Sequence, residues 1–169
     1  MAAGGVTAEQ LASQLPDCEI VFATWFRTAT EQLRPLVEGS YPAVGHACEF
    51  ETSLIMAIRP ELVDESAIVD DGRAPASPLL QSDLLTGSRT VRALPFDKIT
   101  TNGVWGKPSF ATPEKGRAIL EIVVPAIKEL LAAHWPNAPG MAIARPNTNR
   151  TPSRIDRISA LSSDRRVIR

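Results

Sequence analysis

Apolar residues recur most regularly near the C-terminal end of the chain. Ile119, Ile122, Val123, Ala126, Ile127, Leu130 and Leu131 follow an i, i+3, i+4, i+7 rhythm that predicts one long amphipathic helix. Thr112 stands as its N-cap, Pro113 at the first helical position and Glu114 in the first turn. Pro125 removes one helix bond and predicts a kink, and His134 falls in the last turn, where positive charge suits the helix dipole. A second helix is predicted from Cys48 or Glu49 onward, with Glu49 and Glu51 in its first turn and Leu54, Ile55 and Ile58 as an inward-facing stripe. Arg59-Pro60 ends it, because proline disfavours helical geometry in the residue before it.

Shorter elements come earlier. Thr7-Ala8-Glu9-Gln10 has the form of a capping box, opening a helix with Leu11 and Leu15 that stops at Pro16. Thr28-Ala29-Thr30-Glu31 has the same form, before Leu33, Leu36 and Val37; Pro35 limits that helix and Gly39 ends it. Between them, Glu19 to Phe26 is rich in β-branched and aromatic residues without alternation, which predicts a parallel strand covered on both faces. From Asp64 to Ser88 the chain is rich in Pro, Ser, Gly and Asp and predicts irregular backbone; Asp70-Asp71-Gly72 is a turn signal. Asp64, Asp70 and Asp71 lack the alternating spacing of a calcium loop and read as solvated turn residues. Residues 90–94 predict a short strand ended by Pro95.

At 169 residues and 44% hydrophobic composition the chain has material for one domain with a core. A net charge of -1 gives no electrostatic case for nucleic acid or an anionic membrane, and no apolar run reaches transmembrane length. Cys18 and Cys48 have no zinc-ribbon or CxxC spacing and read as reduced thiols of a cytoplasmic protein. Beyond Trp135-Pro136 the composition shifts. Residues 141–169 carry seven arginines against two aspartates, with sparse apolar residues and no aromatic interleaving for base stacking, so 137–169 reads as an Arg-rich disordered appendage to a domain at 1–136.

Candidate chemistry concentrates at Gly45-His46-Ala47-Cys48-Glu49-Phe50-Glu51-Thr52-Ser53. His46, one of two histidines, sits at the mouth of a predicted helix, and an imidazole passes protons near neutral pH. Glu51, five residues on, could orient it or help hold a metal-bound water; the plainer alternative is a loop histidine followed by an ordinary first-turn acid. Trp25 lies where the predicted strand hands over to a loop, either as a wall over a pocket or as a core residue. Trp105 stands in the Gly103-Val104-Trp105-Gly106 loop, an anchored ring in a lid or a subunit contact.

The Gly-His-Ala-x-x-Phe-Glu-Thr-Ser block closed by Arg59-Pro60-Glu61-Leu62-Val63 resembles a segment of the creatininase (creatinine amidohydrolase) family. So does Asn102-Gly103-Val104-Trp105-Gly106-Lys107-Pro108 followed by Ala111-Thr112-Pro113-Glu114-Lys115-Gly116-Arg117. The resemblance runs from about Thr7 to His134. It departs at Cys48, where the family usually has glycine, and at Lys107, where it usually has an acid. It implies an α/β fold, a three-layer α/β/α creatininase-like sheet, incomplete on the N-terminal side. It implies a metal-dependent hydrolase of C–N bonds in a small-molecule amide or cyclic amidine, with a binuclear zinc or manganese site activating water. On that reading His46 relays the proton, Glu51 is its metal-facing neighbour, and Trp25 and Trp105 contact substrate. The family's metal-binding stretches, Glu-x-His-Gly and Asn-Gly-His-Gly-Gly-Asn, are absent from this sequence. The expectation is therefore a chain that holds no metal and is inactive alone. It would be completed by a homo-oligomer or by a partner supplying the missing N-terminal half, or else would survive as a non-catalytic remnant or interaction module.

Overall fold

The computed structural model describes residues 3–136 apart from Ser88, Val91 and Arg92. Their contacts fall into two units, residues 1–127 and 128–169. Four α-helices form among the described residues: α1 (Ala3–Gln14), α2 (Thr30–Leu33), α3 (Glu49–Ile58) and α4 (Pro113–His134), with single 3-10 turns between them. None is long and apolar enough to cross a membrane. The predicted residues 137–169 appendage lies outside the described residues, as do two residues of the strand expected at 90–94.

The first unit's core joins Ala29 and Leu33 of the α2 region, Val44, Cys48 and Phe50 around the start of α3, Leu85, and Ile119 and Val123 of α4. Two of the stripe positions expected from α4 are thus fully engaged, and Ile122, Ala126 and Ile127 pack against them. Thr112 caps the helix as expected: its hydroxyl accepts the Lys115 N–H at 3.1 Å. In the second unit α4 ends at His134, and Trp135 closes the last turn by donating its N–H to the Leu131 carbonyl at 2.8 Å.

Several expectations are corrected. α1 starts four residues before the Thr7 cap position. Its opening turn contains two glycines, poor helix formers, but the Phe22 ring lies so close to Gly4 that a Cβ there would sit 2.4 Å from it. The second capping box does not form either: the Thr28 hydroxyl donates to the Trp25 carbonyl at 2.7 Å, and α2 is a single turn running into a 3-10 turn at Arg34–Leu36.

Glu19 to Phe26 is not a strand. The chain there is irregular and closes into a turn, with Arg27 and Thr28 N–H groups both donating to the Thr24 carbonyl. β-propensity expresses fit to a pleated neighbour, and among the described residues no segment lies alongside to complete a ladder. The only sheet-like pairings among them are two isolated antiparallel bridges, His46 with Trp105 and Asp71 with Gly106. Both lie at the candidate site.

α3 has the predicted limits but not the predicted face. Of the expected stripe, Leu54 packs partly buried against the core, but Ile55 and Ile58 are exposed, and the buried side is Glu49, Phe50, Ser53 and Met56. The reason is contact with α4. Gly116 comes so near that a Cβ on it would lie 2.0 Å from the Ser53 carbonyl oxygen. The Ser53 hydroxyl donates to the Glu49 carbonyl and accepts the Thr112 N–H at 3.0 Å. A face of small and hydrogen-bonded side chains permits that approach; a face of isoleucines would not.

Candidate active site

Helix α3 begins at Glu49 with Cys48 as an N-cap that makes no side-chain cap bond. Cys48 is fully buried, and burial pushes its thiol pKa up, which keeps it protonated and inert. The residue before it, Ala47, has φ +48°, a left-handed conformation that L-residues other than glycine, asparagine and aspartate rarely adopt. Glu51 holds it there: one carboxylate oxygen accepts the Ala47 N–H at 2.6 Å, a reach back from the first turn like the acidic half of a capping box. That turn redirects the chain, so that His46 lies alongside Trp105.

The two residues exchange both backbone hydrogen bonds, His46 N–H to Trp105 carbonyl at 3.0 Å and Trp105 N–H to His46 carbonyl at 2.8 Å. Gly45 makes this approach possible, because a Cβ there would lie 2.1 Å from the Trp105 carbonyl oxygen and 2.3 Å from its ring. Tyr41 meets the indole edge-on, with ring centres 6.1 Å apart. The indole N–H is buried with no hydrogen-bond partner among the described residues.

Asp71 secures the other flank of the Trp105 loop. One carboxylate oxygen accepts from Thr101 N–H (2.5 Å), Thr101 hydroxyl (2.6 Å), Thr100 hydroxyl (3.0 Å) and Asn102 N–H (3.3 Å). The other takes the Gly72 N–H at 2.7 Å. These donors, those of Thr101 first, hold the carboxyl pKa far below its ordinary range. Asp70 accepts from the Ser109 N–H and hydroxyl, and Asp64 from Ser66. Asp70 and Asp71 are therefore braces between distant segments, each with different partners, whereas Asp64 bonds only within its own exposed turn, as expected of a solvated turn residue.

His46 and Trp105 open onto one cavity of about 420 Å³, shared with Phe96, Arg73, Lys98 and Leu80 among others. The His46 imidazole meets the Phe96 ring edge-on at 5.1 Å and is exposed to solvent. Glu51 does not line this cavity; it borders a separate depression of about 350 Å³ with Ala47, Ile55 and Val104. The structure thus unites His46 with Trp105 but places Glu51 at a different depression, bonded to the Ala47 N–H. Trp25 joins neither cavity and packs against the core, edge-on to Phe26 at 5.3 Å.

A further feature was not visible in sequence. Glu49 is fully buried, and its carboxylate accepts from Lys115 Nζ (2.6 Å) and from the Glu38 and Gly39 N–H groups (3.1 Å each). Lys115 Nζ also donates to the Phe110 carbonyl at 2.8 Å and lies 3.3 Å from Glu38. Its signal was the lysine beside Gly116 in the α4 start motif. Arg73, Lys98 and Phe96 were also missed, because they lie in segments with no periodicity.

Among the described residues no group of three or more His, Cys, Asp and Glu side chains comes together as metal ligands. No acid lines the cavity, and Asp70, Asp71 and Asp83 are committed to backbone and hydroxyl donors, so this donor set does not fit a binuclear centre.

Residues 1–131 match the family model for creatininase, described as creatinine amidohydrolase. The chain belongs to the creatininase family. A crystal structure from Bacteroides fragilis NCTC 9343, of a protein assigned as a creatinine amidohydrolase, is similar to it at 29% identity with a TM-score of 0.56. The likeness covers 76% of this chain and 46% of the Bacteroides chain, so the chain spans about half the length of that solved relative. No curated protein matches the chain. Both sequence blocks that resemble the creatininase family fall within the matched residues, and the His46–Trp105 bridge joins one block to the other.

Proposed function

We infer that this chain supplies the proton-transfer and substrate-contact part of a creatininase-family amidohydrolase, acting on a C–N bond of a small amide. The observation that carries this reading is the two-bond pairing of His46 with Trp105 at the rim of one cavity. Within it, the exposed imidazole is free to deliver a proton to the departing nitrogen, which would otherwise leave as a strongly basic anion. Trp105 gives a flat apolar wall against which a planar amide can lie. Glu51 is a positioning residue: by fixing Ala47 it fixes the direction of the chain at His46. Trp25 supports this region through the core and does not contact substrate.

The family's divalent metal, zinc or manganese, would activate water; its ligands would come from outside the described residues. A further segment of the same protein, a second polypeptide or a second copy of the chain could supply them, and the exposed apolar side chains of Phe22, Ile58 and Leu62 are compatible with association. In such an assembly the three-layer α/β/α arrangement would be completed, with 19–26 gaining a strand neighbour. The reading is of a cytoplasmic protein. A non-catalytic interaction module is the second reading, supported by the commitment of Asp70 and Asp71 to structural bonds.

Co-expression of the full chain with the histidine-rich metal-binding half of a creatininase-family enzyme tests the first reading. Amide hydrolysis should appear in the assembly, and His46→Ala should lower kcat by about 10²–10⁴-fold, the usual scale for a lost general acid. Activity indifferent to His46→Ala removes the relay role, and no activity in the assembly selects the interaction module. Chelator-sensitive hydrolysis by the full chain alone contradicts the divided site.

A further inference from the structure

The cavity beside His46 has a charge character that the relay and the aromatic wall do not use. Arg73 and Lys98 both line it, and none of its lining residues is an acid. The two cations are carried on segments tied together, since the Arg73 N–H donates to the Ile99 carbonyl at 2.8 Å. Arg73 forms no ion pair among the described residues. Lys98 has only Asp97, 3.3 Å away, with both side chains about two-thirds exposed (66% and 69%). Such a surface pair holds its partners weakly. Ser82 also lines the cavity; Tyr41 engages its backbone N–H and carbonyl, so its hydroxyl is spare among the described residues. The remaining walls are apolar: Leu80, Leu94, Phe96, Ile99 and Trp105.

One cation without an ion pair among the described residues, a second held only by a weak surface pair, and a hydroxyl in an otherwise apolar hollow are suited to an anion attached to an apolar body. An arginine fork matches the planar oxygen pair of a carboxylate. A neutral amide would leave Arg73 without a counter-charge. We propose that the cavity selects amides bearing a carboxylate, such as N-acyl amino acids, with Arg73 and Lys98 as the groups that hold that carboxylate while the amide lies against Trp105 near His46. This rests on reading the His46–Trp105 cavity as the substrate site.

A matched pair of probes separates the two ideas. N-acetyl-L-leucine and N-acetyl-L-leucinamide differ only in whether the terminal group is a carboxylate or a neutral amide. Each is titrated into the full chain at low salt and followed by calorimetry and by the His46 ring resonances. The carboxylate should bind at least about tenfold more tightly, and added salt should erode that advantage by screening. Arg73→Gln and Lys98→Gln should each reduce the preference to a few-fold; both side chains are surface-accessible, and circular dichroism checks that the fold is kept. Equal binding of the two probes, with His46 perturbed by both, overturns the carboxylate preference while keeping the substrate cavity. A preference that survives both substitutions also overturns it, as does inorganic phosphate competing as strongly as acetyl-leucine. If neither probe perturbs His46, the substrate-cavity reading fails and this proposal with it.

Discussion

Replacing Lys115 by methionine tests how the two main helices are held together. The substitution keeps the length and apolar stem of the side chain and removes only the ammonium. Glu49 would then be a fully buried carboxylate left with two backbone donors, from Glu38 and Gly39. Glu38 cannot compensate, being itself an acid, and its side chain is 63% exposed. Breaking a buried ion pair from one side costs about 3–5 kcal/mol, against a total stability of about 5–15 kcal/mol for a typical domain. Lys107→Met is the internal control: its pair with Asp70 spans 4.0 Å between side chains 25% and 29% exposed, and such partly solvated pairs contribute about 0–1 kcal/mol. Urea unfolding of the full chain, followed by far-UV circular dichroism, should show a large fall in midpoint for Lys115→Met at unchanged m-value and a small one for Lys107→Met. Adding Glu49→Gln should recover part of the loss, since the amide oxygen still accepts a backbone N–H while the stranded charge is gone. If Lys115→Met costs under about 1 kcal/mol, or the double variant is no better than the single, the pair is not the clamp described and the general rule for buried pairs does not apply to it.

Three further outcomes follow from the same geometry. Gly116→Ala should destabilise by about 1–3 kcal/mol through overpacking against Ser53, although alanine is intrinsically the better helix former by about 1 kcal/mol; a rise in thermal midpoint would refute the close approach. Trp105→Phe should change stability by less than about 1 kcal/mol, because the buried indole N–H it removes has no partner to lose, whereas Trp105→Ala should cost about 3–5 kcal/mol; equal losses in denaturant melts would contradict the orphaned N–H. Asp71 has a carboxyl pKa lowered by folding, so its contribution is complete above the ordinary value of 3.8 and is lost as pH falls below that value. Asp71→Asn should therefore flatten the acid limb of a stability-versus-pH curve while lowering the neutral plateau, and an unchanged acid limb would show that the Thr100–Asn102 donors do not matter.

Legibility from the sequence tracked how local the decisive interaction was. α4 was readable in its start, cap and buried stripe because Thr112, Pro113 and Ile119 act within their own helix. α3 was readable in its limits, set by Glu49 and by Arg59-Pro60, but not in its face. Hydropathy chose Leu54, Ile55 and Ile58, of which only Leu54 packs against the core, whereas the buried side carries Glu49 and Ser53, whose partners Lys115 and Thr112 are more than fifty residues away. The segment from Glu19 to Phe26 carried the composition of a strand, yet a strand is a property of two segments, and among the described residues none pairs with it. His46 and Trp105 were both recognisable from their motifs. Their pairing depends on Gly45 and on the left-handed Ala47, which no periodicity encodes. Glu51 was chosen for nearness in sequence to His46, and the fold spends its carboxylate on the Ala47 N–H and on a different depression.

The His46 site is therefore held from behind. Its imidazole is exposed and has no side-chain hydrogen bond among the described residues to fix it; what fixes it is the backbone on either side. On one side the Trp105 bridge depends on the Asp71 brace; on the other, Ala47 and buried Cys48 lead directly into α3, which Ser53, Gly116 and the Glu49–Lys115 pair seat against α4. Loosening the α3–α4 contact would release the first turn of α3, then the Glu51 bond to Ala47, and so the direction of His46, with no atom of the cavity altered. Substitutions in that contact should accordingly broaden or shift the His46 ring resonances before they unfold the chain, whereas changes at exposed Ile55 or Ile58, on the same helix but off the contact, should leave them in place. A site built on a sheet edge would respond to neither set, because its geometry would be carried by the ladder.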